Sequence, residues 1–402
     1  MGGGMTDLWR PWPLRETENA LVRSRTRIAG TEARLRAWVE HAPAAGIARG
    51  VPLGVKDIVD VAGLATRCGT PLRADAAPAE ADAAIVAAWR RAGAVPVGKT
   101  VTTEFAYFSP GPTRNPAAPG HTPGGSSSGS AAAVASGQVP LATGSQTAGS
   151  VTRPAAFCGV ASLVLSHGRF PMDGVVGLSP SLDSHGVFAA GVDDLALAWS
   201  MLSGEPPPAQ GPPRLLVWTA GPLGVVHPAM AGALAAARTR LAEAGAVVDD
   251  FGEEDLVAAL ATAHPVVMAY EAARERAAEL AVADRLSEQL AGLLRTGAAT
   301  TDDEYRAART VIADAAPRIA GLLAGYDAVL GPAAPGPAPA GLTATGDPVL
   351  SRPWQALGLP AVGVPGARDA AGLPLGLQLV GPARGEAGLL ATGCWVAEAL
   401  RP

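Results

Sequence analysis

Residues 79 to 97 read AEADAAIVAAWRRA, then Gly93, then AVPV. The first segment spaces its apolar residues along one face of a helix. Gly93 is a stop signal, and the segment after it is short, apolar and valine-rich. A helix that ends on glycine and runs straight into an apolar strand is the repeating unit of an α/β protein.

The same alternation recurs along the chain. Residues 51–55, VPLGV, form an apolar run expected as a buried strand, with Lys56 at its end. SAAAVASG is expected as a short helix, VPLATG as the strand after it, and GSQTAGS as a loop. Residues 192–203 and 227–248 carry helical patterns, the second leading into a strand, and 255–323 is helical nearly throughout. LLVW, YDAVLGP, LPAVGVPG and LPLGLQLVG are expected strands, and residues 386–400 a closing helix. Leu21, Ile28, Leu35 and Trp38 extend one helical expectation over residues 16–40.

At roughly 150 residues per domain, 402 residues would allow two or three domains. The Pro/Gly-rich stretches, however, sit between periodic elements, and there is no tandem repeat. They read as loops of a single domain over residues 1–402. The formal net charge of −5 and the absence of a basic run argue against nucleic acid as a partner. No stretch approaches the ~18 consecutive apolar residues of a membrane span, and residues 1–16 lack the apolar core of a signal peptide. The three scattered cysteines suit a reducing compartment, so a cytoplasmic location is expected. Neither the cysteines nor the six scattered histidines have metal-ligand spacing, and no metal is expected.

The basic residues are more informative. Of 31 Lys and Arg residues only two, Lys56 and Lys99, are lysine. A chain that uses Arg for generic positive charge keeps Lys where Arg cannot serve. Arg stays protonated, whereas a buried Lys can lose its proton and act as a base. Coding bias is the plain alternative for both.

Two stretches raise the question of chemistry: GGSSSGSAAAVASG at 124–137 and GSQTAGSV at 144–151. The first is no linker, because helix and strand follow it at once. Neither is a phosphate loop, since a Walker loop needs GxxxxGK[ST] and no lysine is present. Glycine-rich turns can gather backbone N–H groups on one point, as an oxyanion hole requires. TAGS, residues 147–150, ends such a turn on a serine. A serine nucleophile needs a base, and neither stretch contains histidine.

The chain resembles the amidase signature hydrolases. The resemblance rests on GVPLGVKDIVDVAGLAT, AGAVPVGKTVTTEFA, TRNPAAPGHTPGGSSSGSAAAVASGQVPLATGSQTAGSVTRPAAFCG, SPSLDSHG and LGLPAVGVPGARDAAGLPLGLQLVGPA. It implies a large mixed central β-sheet flanked by helices on both faces, with a signature core at about 50–200. A shortened pocket region would span about 205–325, and the chain would return to the sheet over 326–402. It implies Lys56 as catalytic base, Ser126 as a bridging serine after a cis peptide bond, and Ser150 as nucleophile. Backbone N–H groups of Thr147, Ala148, Gly149 and Ser150 would form the oxyanion hole, and Gly124 and Gly125 would shape the serine turn. No cofactor or metal is implied. The partner is a small carboxamide or N-acyl amine, with a homodimer left open. Ser127 and Ser128 read as loop supports, Lys99 as structural, His121 as a loop hydrogen bonder and Cys158 as a buried small hydrophobe. Asp57 could orient Lys56 or cap a helix.

The chain departs from the family pattern at several points. GSQTAGS replaces the common GTDTGGS, so Gln146 stands for an acidic residue and Ala148 for glycine. Thr152 occupies the usual arginine position, with Arg153 one further on, and SLVLS at 162–166 replaces GLKPT. The rival expectations are acyl transfer to an amine, the glutaminase component of a tRNA-dependent amidotransferase complex, and a catalytically dead scaffold.

Overall fold

The computed structural model describes residues 8–16, 18–43 and 49–401. The strands are β1 (Trp38–His41), β2 (Val51–Lys56), β3 (Ala94–Thr100), β4 (Leu141–Gln146), β5 (Ala161–Val164) and β6 (Ser184–Ala189). They continue with β7 (Arg214–Val217), β8 (Val247–Asp250), β9 (Ala328–Pro332), β10 (Ala361–Arg368) and β11 (Pro374–Val380). All eleven join one mixed sheet in the order β1-β3-β2-β4-β6-β5-β10-β11-β9-β7-β8. β2 pairs in parallel with both β3 and β4, and β7 with both β8 and β9; the remaining pairs are antiparallel.

The helices are α1 (Ala20–Leu35), α2 (Ala84–Arg91), α3 (Ser128–Ala135), α4 (Thr152–Cys158), α5 (Val192–Ser203) and α6 (Pro228–Glu243). After them come α7 (Glu254–Glu275), α8 (Ala277–Leu280), α9 (Glu288–Ala299), α10 (Asp302–Leu323), α11 (Arg352–Ala356) and α12 (Glu386–Ala399).

The sheet has apolar side chains on both faces, because successive side chains on a strand point to opposite sides. Leu215 and Val217 of β7 join one core while Leu216 joins the other. Ala328 and Leu330 of β9 divide from Val329 in the same way. The first core takes Ile85 and Trp89 of α2, Leu195 of α5 and Leu389 of α12. The second takes the alanines of α3, Ala155 of α4 and Trp354 of α11. Helices therefore cover both faces, which is why the central strands read as continuous apolar runs.

The helix over 16–40 ends earlier: Arg36 adopts a left-handed φ of 57°, and Trp38–His41 becomes β1, paired with β3. The SLVLS replacement leaves β5 regular, since it pairs with β6 on one side and β10 on the other. α7 is long and apolar enough to cross a membrane by length and composition. Here Leu260, Ala261, Val267 and Met268 are buried, and the helix packs on α9, α10 and α11.

Candidate active site

β2 ends at Lys56, which the sheet encloses on both sides. Its side chain is fully buried. Nζ donates to Ser126 Oγ at 2.7 Å, to Ser145 Oγ at 2.8 Å and to the Ser145 carbonyl at 3.4 Å. Burial away from water lowers its pKa to about 7, with Asp183 pulling the other way. A lysine in that state exchanges its proton near neutral pH.

Ser126 stands just before α3, and the Gly125–Ser126 peptide bond is cis. Gly124 has a φ of +79°, and a Cβ there would meet Pro154 Cα at 2.9 Å. That position requires glycine twice over. Ser127 and Ser128 direct their hydroxyls to the carbonyls of Ser145 and Val101.

Ser150 lies in the turn between β4 and α4. The Ser127 amide donates to its carbonyl at 3.3 Å. Gln146 organises the turn. Its Oε1 accepts from the amides of Val151 at 2.9 Å and Thr152 at 3.0 Å, satisfying donors at the start of α4. Its Nε2 donates to Gln355 Oε1 at 3.2 Å, and Gln355 in turn donates to Ser184 Oγ. Among the described residues, the amides of Ala148, Gly149 and Ser150 have no protein acceptor. A row of open N–H groups at a helix start is an anion-stabilising arrangement.

Two buried groups pin the loop at Thr147. Its hydroxyl donates to Asp183 Oδ1 at 2.5 Å, and Asp183 Oδ2 accepts from the amides of Leu178 and Ser179 at 2.7 and 3.0 Å. Burial pushes the Asp183 carboxyl up, and these hydrogen bonds work against the shift. The Thr147 carbonyl lies 2.7 Å from His264 Nε2, which must donate to it. Burial lowers His264 to about 4, so the ring is neutral at ordinary pH with Nδ1 unprotonated.

Ser126, Ser150, Tyr107, Phe108, Leu178 and Met268 line one narrow cavity. Its free space, about 10 Å³, is about what one water molecule requires. Lys56, Ser126 and Ser150 thus converge, as do Thr147, Ala148 and Gly149 beside the cavity. Among the described residues no hydrogen bond joins the Ser126 and Ser150 hydroxyls. Nor is any group of three or more His, Cys, Asp or Glu placed to hold a metal.

Other residues fall elsewhere. Asp57 pairs with Lys99, Nζ to Oδ1 at 3.0 Å with both side chains fully buried, so it does not orient Lys56. His121 Nδ1 meets the Pro119 carbonyl at 3.1 Å. Cys158 is buried, and its thiol is pushed up by that burial. The sequence reading missed Ser145, Asp183, His264 and Gln355. Asp183 sits in the quoted SPSLDSHG, but nothing local marks His264, which reaches Thr147 across 117 residues.

The amidase family profile matches residues 15–390. The chain belongs to the amidase family. A glutamyl-tRNA(Gln) amidotransferase component from Treponema pallidum is 48% identical over 177 residues, 40% of this chain. That match spans 35% of the relative's own length, about a third of it. AmiA2 of Mycobacterium bovis, described as an amidase, is 34% identical over 382 residues, covering 85% of this chain and 78% of the relative. A crystal structure of an amidase superposes with a TM-score of 0.85 at 30% identity, covering 96% of each chain. That match over the sheet and helices agrees with the mixed α/β architecture described above.

Proposed function

We propose that this amidase-family chain cleaves a small carboxamide at its C–N bond through an acyl-enzyme on Ser150. The observation that carries the reading is the fully buried Lys56, with a pKa near 7, 2.7 Å from Ser126 in the cavity that also holds Ser150. Neutral Lys56 accepts the Ser126 proton, and Ser126 takes the Ser150 proton as Ser150 attacks the amide carbon. The hydroxyls need to close to hydrogen-bond distance for this step, as catalytic contacts commonly do when substrate binds. The negative charge on the substrate oxygen is met by the open amides of Ala148, Gly149 and Ser150. Ser126 then gives its proton to the leaving nitrogen and takes one back from the Lys56 ammonium, and ammonia or an amine departs, leaving Lys56 neutral again. Water attacks the acyl-enzyme by the same relay run again.

Acyl transfer to an amine would share every step up to the acyl-enzyme. The similarity to glutamyl-tRNA(Gln) amidotransferase components supports a second reading, in which released ammonia is used by a partner. Ammonia release from a panel of small carboxamides tests the main proposal. Wild type should release ammonia without any partner, and Ser150→Ala should release none. Silence of wild type toward all amides, with no covalent adduct, would favour the dead scaffold.

A further inference from the structure

The cavity that holds Ser126 and Ser150 has free space of about 10 Å³, room for one water molecule and too little for a carboxamide with its acyl group. Admitting a substrate requires a wall to move. Several walls are fixed. The Leu178 amide donates to the buried Asp183 carboxylate at 2.7 Å. Met268 is buried on α7, which packs against α9, α10 and α11. Pro348 is buried against Gly149, where an added Cβ would come within 2.9 Å of the proline Cβ.

Ala106, Tyr107 and Phe108, which also line the cavity, are held differently. They open a half-buried stretch that runs to Gly111. It is anchored on either side. Before it, the Glu104 carboxylate accepts from Thr70 Oγ1 and from the Ser287 amide, each at 2.8 Å. The Phe105 amide donates to the Cys68 carbonyl at 2.8 Å. After it, Thr113 Oγ1 donates to the Arg36 carbonyl at 2.8 Å, and the Arg114 amide to the Leu35 carbonyl at 2.9 Å. Between these anchors the hydrogen bonds are all local among the described residues. The Ala106 amide donates to the Thr103 carbonyl at 3.0 Å, Tyr107 to Glu104 at 2.8 Å and Ser109 to Tyr107 at 2.7 Å. The backbone is also strained. φ is 44° at Phe105, 62° at Ala106 and 34° at Phe108, the left-handed region that glycine alone enters at little cost. Side-chain contacts oppose the strain: the Tyr107 and Phe108 rings meet edge to face at 4.8 Å, and the Phe108 ring lies 5.5 Å from the Arg153 guanidinium carbon. A strained segment with no outside hydrogen bonds lies close in free energy to a conformer in which φ returns to negative values.

We propose that residues 106–112 form a flap whose opening admits the substrate, which makes Tyr107 and Phe108 specificity-determining residues that decide which amides reach Ser150. The proposal rests on the reading of Ser150 as nucleophile. Strain at Ala106 favours the open flap, and the aromatic contacts favour the closed one.

The test measures the second-order rate of Ser150 labelling by diisopropyl fluorophosphate in wild type, Ala106→Gly and Ala106→Val, together with amide hydrogen exchange of the whole protein. Glycine accepts the positive φ, so Ala106→Gly should favour the closed flap and slow labelling by about 2- to 5-fold. A β-branched residue is penalised there, so Ala106→Val should speed labelling by a similar factor. The pH midpoint should stay near 7 in both variants, because the contacts of Lys56 are untouched. In wild type the Tyr107 and Ser109 amides should exchange about 100-fold faster than those of Leu178 and Ser179. Labelling rates that shift in the same direction in both variants, or in neither, would overturn the proposal. So would exchange at Tyr107 and Ser109 as slow as at Leu178. Should one variant not fold, the other variant and wild-type exchange still decide. Should wild type take no label, the nucleophile reading fails by itself, and exchange still reads whether the flap opens.

Discussion

The two lysines form a controlled comparison inside one molecule. Lys56 and Lys99 are both fully buried, on the adjacent parallel strands β2 and β3, where Val55 faces Lys99 and Lys56 faces Thr100. Burial lowers the pKa of each. They differ in partners. Lys99 has the Asp57 carboxylate at 3.0 Å, Thr66 Oγ1 at 2.8 Å and the Ala65 carbonyl at 3.3 Å. Lys56 has two serine hydroxyls and a carbonyl, with no carboxylate in contact among the described residues. A carboxylate in contact holds the ammonium form, whereas hydroxyls leave the choice of proton open. The fold therefore makes one buried lysine a structural cation and the other a group that can give and take a proton near neutrality.

The comparison breaks most sharply at Lys56. Lys56→Arg keeps a cation but removes the base, and kcat should fall about 10²- to 10⁴-fold, the usual contribution of general-base catalysis. Stopped-time ammonia assays would show it, and full activity in this variant would end the proton-relay account. Lys99→Met leaves Asp57 buried and unpaired. Thermal or denaturant unfolding should show a loss of about 3–5 kcal/mol, while the pH dependence of turnover in the folded fraction stays as in wild type. A large shift in that pH dependence would mean that Lys99 belongs to the reaction.

Asp183→Asn sharpens the same comparison. Lys56 accepts a proton only when neutral, so kcat/KM should rise with pH and level off above about 7. The Asp183 carboxylate favours the ammonium of Lys56; without it the amine is neutral at lower pH, and the limb should move to the acid side. A limb that stays put or moves to higher pH contradicts the assignment. The smallest effect is expected from His264→Leu. It loses one hydrogen bond to the Thr147 carbonyl, so kcat should drop a few-fold to about ten-fold. The limb should not move, because His264 titrates near 4, outside the window.

Much of the frame was legible in the sequence because it is written locally. The apolar runs of β2, β10 and β11, and the Gly93 stop after α2, depend on neighbours a few residues away. β1 was hidden because helical periodicity runs across Arg36, and no glycine marks the left-handed residue that ends α1. Lys56 and Ser150 drew notice for a different reason, two lysines among 31 basic residues and a serine closing a glycine-rich turn, while Ser126 and the catalytic roles came only with the family resemblance. Ser145, Asp183 and His264 stayed hidden because their roles exist only once β2, β4 and α7 are brought together.

The central claim is that Ser150 is the nucleophile and Lys56 drives its activation. The most direct test is labelling with a fluorophosphonate, followed by peptide mass mapping and by rates measured from pH 5 to 9. The account predicts one adduct, on Ser150, absent in Ser150→Ala, slowed strongly in Lys56→Arg and rising with pH to a plateau above about 7. An adduct on Ser126 or Ser145, or labelling of Ser150 at an unchanged rate in Lys56→Arg, would contradict it.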